Sequence, residues 1–228
     1  MSKPEVSVIM AVYNNFTHFE AAVKSIINQT FRDFEFLILD DGSSESYAST
    51  IKDVQSVDQR IAVYVNDSNK GLATALNKLI HLSRGKYIAR MDADDISDPS
   101  RLQDQIDYLK RNEEIDVVAT KGTYIDDEGN YICDKYVPNS ISTVYRVMSY
   151  HNYIIHPSVM IKKSTFTQYG EYNERFRRAQ DWELWNRYIK SGVEFQILNS
   201  PLIRYRIPKK HNNNKYKTRL CLLNKSKK

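Results

Sequence analysis

Four short runs rich in β-branched and aromatic residues, at 6–12, 34–39, 61–65 and 87–91, are spaced so that helical patterns fit between them. Phe19, Val23, Ile26 and Ile27 recur at helical spacing between the first two runs, and Leu72, Leu76, Leu79 and Ile80 between the last two. Tyr47, Ile51 and Val54 supply a third helix near 44–55. Leu102, Ile106 and Leu109 supply a fourth, for which Asp98-Pro99 reads as N-cap and first helical residue. Gly85 stands where a left-handed helix end is expected. Strands alternating with helices over about 115 residues predict an α/β fold, an open and mostly parallel sheet with helices on both faces.

Such sheets bind ligands beyond the carboxyl ends of their strands. That edge collects Tyr13-Asn14, Asp40 to Ser44, Asn66-Asp67 and Asp92 to Asp95. Side chains alternate along a strand, so Asp92 and Asp94 are expected to face one site and Asp95 the other side. Paired carboxylates suit a hard divalent cation, Mg2+ or Mn2+, whose remaining ligands come from a substrate's phosphates. The plainer alternative is that these acids only begin the next helix, and Asp98 is read that way.

Past residue 115 the pattern is mixed. Strands are expected at 115–119, 159–161, 195–198 and 202–205, and a helix at about 181–191. No low-complexity linker intervenes, so one continuous domain is expected. Residues 1–115 form its first half, 116–207 its second, and 208–228 a basic tail. Of 33 basic residues eight lie in that tail, against 28 acidic residues that all precede it. The body is therefore slightly acidic, which argues against nucleic-acid binding. The tail, with Leu220, Leu222 and Leu223 among its cations, reads as a peripheral contact with an anionic membrane or as a solvated terminus. No run approaches the ~20 apolar residues of a membrane span, no signal peptide is evident, and Cys133 and Cys221 lack metal-ligand spacing. A cytoplasmic protein, at most associated with the inner membrane face, is the expectation.

Val-Ser-Val-Ile-Met-Ala-Val-Tyr-Asn at 6–14, Asp-Asp-Gly-Ser-Ser at 40–44, Asn-Lys-Gly-Leu-Ala at 69–73, Asp-Ala-Asp-Asp at 92–95 and Gln-Asp-Trp at 180–182 together resemble the family 2 glycosyltransferases of GT-A fold. The resemblance spans about residues 5–207. It implies a Rossmann-like open mixed sheet and transfer, with inversion, from a nucleotide-diphospho-sugar, usually a UDP-sugar, to a glycan or lipid-linked acceptor. It further implies Asp41 as the carboxylate that reads the base, with Ala11 and Tyr13 flanking it and Lys70 near the diphosphate. Asp92 and Ala93 match positions beside the ribose, and Asp94 the ligand of Mn2+ or Mg2+.

Asp181 matches the general base that takes the acceptor's proton; Gln180 replaces the glutamate that commonly precedes it, removing a neighbouring negative charge. His156 and Trp182 are expected at the acceptor, with a structural role open for His156 and a stacking role for Trp182. Trp185 is expected in the core. His211 is expected near the diphosphate and metal. A noncatalytic nucleotide-sugar-binding or scaffolding protein is the competing reading. A nucleotidyltransferase is a third, disfavoured because Tyr13-Asn14-Asn15-Phe16 stands where a glycine-rich phosphate loop would follow the first strand.

Overall fold

Alternate residues of the first strand, β1 (Val6–Val12), enter two different cores, which decides how the helices divide. The computed structural model describes residues 3–207. In it Val6, Val8, Met10 and Val12 pack on one face with α1 (Phe19–Ile27), α2 (Ala48–Val57) and α4 (Arg101–Arg111). Ile9 looks to the other face. With Leu37 and Leu39 of β2 (Phe34–Asp40), it meets α3 (Leu72–Leu82), α5 (Ile141–Val147), α6 (Lys163–Tyr169) and α7 (Gln180–Lys190). A sheet buried on both faces reads as continuous apolar runs, as these strands do.

The remaining strands are β3 (Ile61–Val65), β4 (Tyr87–Met91), β5 (Ile96–Ser97), β6 (Val117–Ile125), β7 (Tyr131–Asp134), β8 (Met160–Lys162) and β9 (Phe195–Arg206). The order across the sheet is β3-β2-β1-β4-β8-β6-β9-β5, with β7 paired to β6. The first four strands run parallel. β8 then joins β4 and β6 in antiparallel pairing, and β6 and β9 run parallel to each other. The sheet is continuous across both halves of the chain, and all the carboxyl ends of β1 to β4 share one edge.

Several local expectations are corrected. The segments read as strands at 195–198 and 202–205 are one strand, β9, which crosses Pro201 by shifting register against Thr120 to Gly122 of β6. Gly85 is not left-handed. It is required because a Cβ there would lie 2.6 Å from the Ser7 backbone nitrogen of β1. Helix α4 begins at Arg101, two residues beyond Pro99; Asp98 still caps the turn, accepting the Ser100 N–H through Oδ1 at 3.0 Å. His211 and the tail lie outside the described residues. No described helix is long and apolar enough to cross a membrane.

Gly42, at φ +76°, brings its backbone so close to the β3–α3 loop that a Cβ would lie 2.5 Å from the Ser68 carbonyl carbon. Gly42→Ala should lower stability by about 2–4 kcal/mol in a urea titration, combining backbone strain with the clash. Gly129→Ala, with φ +88° but open space around it, should lose only about 1 kcal/mol.

Candidate active site

The turn after β4 gathers three carboxylates, Asp92, Asp94 and Asp95, and the surrounding chain is built to hold them. Arg90, itself buried on β4, grips Asp92 two residues on through both guanidinium nitrogens. Asn15, from the loop after β1, donates from Nδ2 to Asp94 at 3.1 Å. Asp95 is buried. Its Oδ1 accepts the Arg206 backbone N–H at 2.7 Å, while Oδ2 has no partner. The Arg206 side chain donates to the backbone carbonyls of Asp94, Asp126 and Asp127, so the last residue of β9 clamps the turn from the far half of the chain. Arg101, fully buried on α4, completes the support by donating to the Arg90 carbonyl.

Burial, and then the neighbouring Asp92, raise the Asp94 carboxyl above the usual carboxylate range. Burial acts with Asp92 and Asp94 to raise Asp95 further. Asp95 is thus not turned away from its neighbours, as strict alternation predicts, because residues 92–95 leave the pleat as a turn. Charge frustration of this kind suits a cation: Asp94, with Asp92 beside it, offers hard oxygen donors already under mutual repulsion. Among the described residues no group of three or more His, Cys, Asp or Glu could hold a metal alone. The donor set therefore fits a Mg2+ or Mn2+ ion that completes its shell with phosphate oxygens.

A second locus lies beside the first. Asp41, buried at the end of β2, accepts from Lys70 N at 3.0 Å, Gly71 N at 2.8 Å and Asn66 Nδ2 at 2.8 Å. It thereby fixes the start of α3, while Asp40 caps its own turn through the Ser43 N–H. Asn14, at φ +48°, bonds Ser43 and Ser44 and braces the β1 loop against the β2 loop. Ala11, Val12, Tyr13, Asp41, Asn69, Gly71 and Arg177 line a cavity of about 310 Å3 here. Lys70 is exposed, and its backbone N–H and carbonyl are held at the locus by Asp41 and Arg177. Ala93 is buried within the turn.

Asp181 stands in the first turn of α7, and its Oδ2 accepts from Asn152 Nδ2 at 2.8 Å. Lys135, the residue after β7, feels the fields of both Asp181 and Asp95, and burial lowers its ammonium to about 8. Tyr172 likewise lies in the fields of Arg90, Asp181 and Asp92. Asp181 and the acidic turn thus act on the same two side chains, Lys135 and Tyr172.

The two residues expected at the acceptor give their polar atoms to the protein, His156 in the structural role left open for it. His156 is buried, with Nε2 bonded to Tyr172 Oη at 2.8 Å and its ring edge-on to Trp185; burial holds it well below its usual range, hence neutral. Trp182 is half-buried and gives its indole N–H to the Met148 carbonyl. Trp185 is fully buried in the core, as expected. Arg90, Asn152, Arg177, Lys135 and Arg206 were not legible as site residues, since no motif marks them.

A family profile described as "Glycosyl transferase family 2" matches residues 7–206. An uncharacterized glycosyltransferase of Methanocaldococcus jannaschii is 36% identical, over 93% of this chain and 74% of that protein. The O-antigen biosynthesis glycosyltransferase WbnJ of Escherichia coli is 31% identical, over 95% of this chain and 84% of its own. Among solved structures, S. aureus TarS 1-349 in complex with UDP-GlcNAc superposes with a TM-score of 0.73 at 17% identity, over 90% of this chain and 59% of that one. The mannosyltransferase PcManGT of Pyrobaculum calidifontis, in complex with GDP-Man and Mn2+, gives 0.69 at 17% identity, over 91% of this chain and 58% of that one. These likenesses show the GT-A fold, and this chain spans just under three fifths of either solved chain.

Because Asp95 has a higher pKa folded than unfolded, the folded state holds its proton more tightly. Stability should therefore fall as pH rises from about 4 through the Asp95 titration. Asp95→Asn keeps an acceptor for Arg206 N–H and removes the charge. Urea titrations should find it more stable than the parent by about 1 kcal/mol or more at pH 7.5 and nearly equal to it at pH 4.5.

Proposed function

The chain belongs to glycosyl transferase family 2, and we propose that it is a metal-dependent, inverting enzyme that transfers a hexose or N-acetylhexosamine from a UDP-sugar to a hydroxyl of a glycan or lipid-linked acceptor. The observation that carries this reading is the pairing of two loci at the carboxyl edge of the sheet, the Asp41 cavity and the acidic turn, which the loop after β1 joins through Asn14 on Ser43 and Ser44 and Asn15 on Asp94. The nucleotide occupies the cavity. The Lys70 N–H is shared between the two Asp41 oxygens at 3.0 and 3.1 Å, and a base N–H reaching this carboxylate would displace the longer of those two contacts. The ribose lies toward Asp92 and Ala93, and the diphosphate toward Asp94. A divalent cation held there by Asp94 and the diphosphate would neutralise charge on the leaving group.

Asp181 works from the opposite side of the sugar. Asn152 holds its Oδ2, which orients Oδ1 toward the acceptor hydroxyl. As the acceptor oxygen bonds to the anomeric carbon, its proton passes to Asp181. The bond from that carbon to the diphosphate oxygen breaks, and the nucleoside diphosphate leaves with the electron pair. Attack opposite the leaving group inverts the anomeric centre. Gln180 in place of a second acid leaves Asp181 the one carboxylate at this helix start able to take the proton, since Glu183 is paired with Arg187 at 3.0 Å. The O-antigen role named for WbnJ supports surface polysaccharide as the product class.

Asp181→Asn should bind UDP in Mn2+ within about twofold of the parent while transfer falls about a thousandfold or more. Asp94→Asn should weaken UDP binding in Mn2+ at least tenfold, which calorimetry would read directly. Equal loss of nucleotide binding in both variants would overturn the division of roles.

A further inference from the structure

The chain leaves β7 at Asp134, and the next residue, Lys135, donates its backbone N–H to the Gly122 carbonyl of β6 at 2.8 Å. Its Nζ lies 5.7 Å from the centre of the Tyr205 ring, over the residue of β9 that precedes the clamping Arg206. Tyr136 then meets Tyr153 edge-on, ring centres 5.9 Å apart, and Tyr153 touches the ring of His151 at 4.2 Å. Between those two stands Asn152, whose Nδ2 holds Asp181. The exit of β7 is thereby packed against the segment that positions Asp181.

Lys135 differs from the arginines near it in having nothing to hold. Arg90 is spent on Asp92 and Arg206 on backbone carbonyls. Among the described residues the Lys135 ammonium makes no hydrogen bond and no ion pair, only its approach to the Tyr205 ring. An ammonium carries three donors, and withdrawing it partly from water with no oxygen to receive them is unfavourable. Burial lowers it to about 8, which leaves it charged at neutral pH. A half-buried cation kept without a protein partner is ready for an anion that arrives from outside.

We propose that Lys135 binds an anionic group on the acceptor, a carboxylate or a phosphate carried by a saccharide, and so brings the neighbouring hydroxyl to Asp181. This rests on the function proposed above. The leaving diphosphate is the competing anion, but the contacts of the Lys135 segment run through Tyr136 and Tyr153 to Asn152 and Asp181, not to Asp94. The rings of Tyr136 and Tyr153 are half-buried and that of His151 is exposed, a surface of the kind on which the C–H face of a sugar packs. An ammonium is a compact point charge with rotatable donors, so it suits a carboxylate and a phosphate alike, each through a charge-assisted bond.

The test is NMR-detected binding of three matched ligands to the full chain saturated with UDP and Mg2+: a methyl glycoside, the uronide with a carboxylate at C6, and the 6-phosphate, in the gluco and galacto series. The parent is compared with Lys135→Met and Lys135→Gln, which remove the charge, and with Lys135→Arg, which keeps it; melting temperatures identify the variants that fold, and one folded neutral variant suffices. The proposal expects the parent to bind one charged ligand at least fivefold more tightly than its neutral counterpart, which also tells carboxylate from phosphate. The neutral variants should lose that preference, Lys135→Arg should keep most of it, and calorimetric UDP affinity should stay within twofold throughout. A parent with no preference for either charged ligand, or a preference that survives loss of the charge, would overturn the proposal. So would a parallel loss of UDP affinity, which would make Lys135 a diphosphate contact. Failure of the parent to bind UDP at all would refute the transferase reading itself, an outcome separable from the others.

Discussion

The acidic turn after β4 is the feature on which the rest of the site depends. Bringing Asp92, Asp94 and Asp95 together in a partly buried place is unfavourable; two such charges 4 Å apart repel by about 4 kcal/mol at an effective dielectric near 20. The fold offsets this from several directions at once. Arg90 on the same strand neutralises Asp92, Asn15 from the β1 loop bonds Asp94, and Arg206 at the end of β9 donates to Asp95 and to the turn's backbone. These partners come from the first, fourth and ninth strands. Holding the turn therefore requires both halves of the chain to be docked. What is left unbalanced is a carboxylate at Asp94 with a raised proton affinity and an orphaned oxygen on the buried Asp95.

The second organising element is Asp41. Most carboxylates at the end of a strand are solvated, whereas this one is spent on the backbone that opens α3. Its three bonds place Gly71, Gly71 makes room for Arg177, and Arg177 belongs to the loop that ends at Asp181. A continuous chain of contacts links the Asp41 cavity to Asp181 without passing through the acidic turn. The two are connected by packing and hydrogen bonds, each local enough to be altered by one substitution.

The first half of the chain was largely legible in the sequence because its information is local. Strand runs bounded by polar turns, helical periodicity and the rule that ligands gather at strand ends located Tyr13, Asp41 and Asp92 to Asp95 along one edge, and the structure brings Asn15 to Asp94 and Asn66 to Asp41 there. What could not be read depends on distant partners. Arg90 and Arg101 look like ordinary surface cations until the carboxylates and carbonyls that bury them are known. His156 and Trp182 belong to tripeptides that suggest a ligand, yet tertiary neighbours, Tyr172 and the Met148 carbonyl, claim their polar atoms. Gly85 and Pro201 were misjudged for a similar reason: the first answers to β1 across the sheet and the second to the register of β6. Asn152, which holds Asp181, carries no sequence signal at all.

The central claim is that the frustrated turn and the nucleotide's diphosphate complete a cation site that neither completes alone. Titrating UDP into the protein with Mn2+ and again with the metal chelated tests it most directly. The account predicts binding at least tenfold tighter with Mn2+ present; equal affinity in both conditions would contradict it.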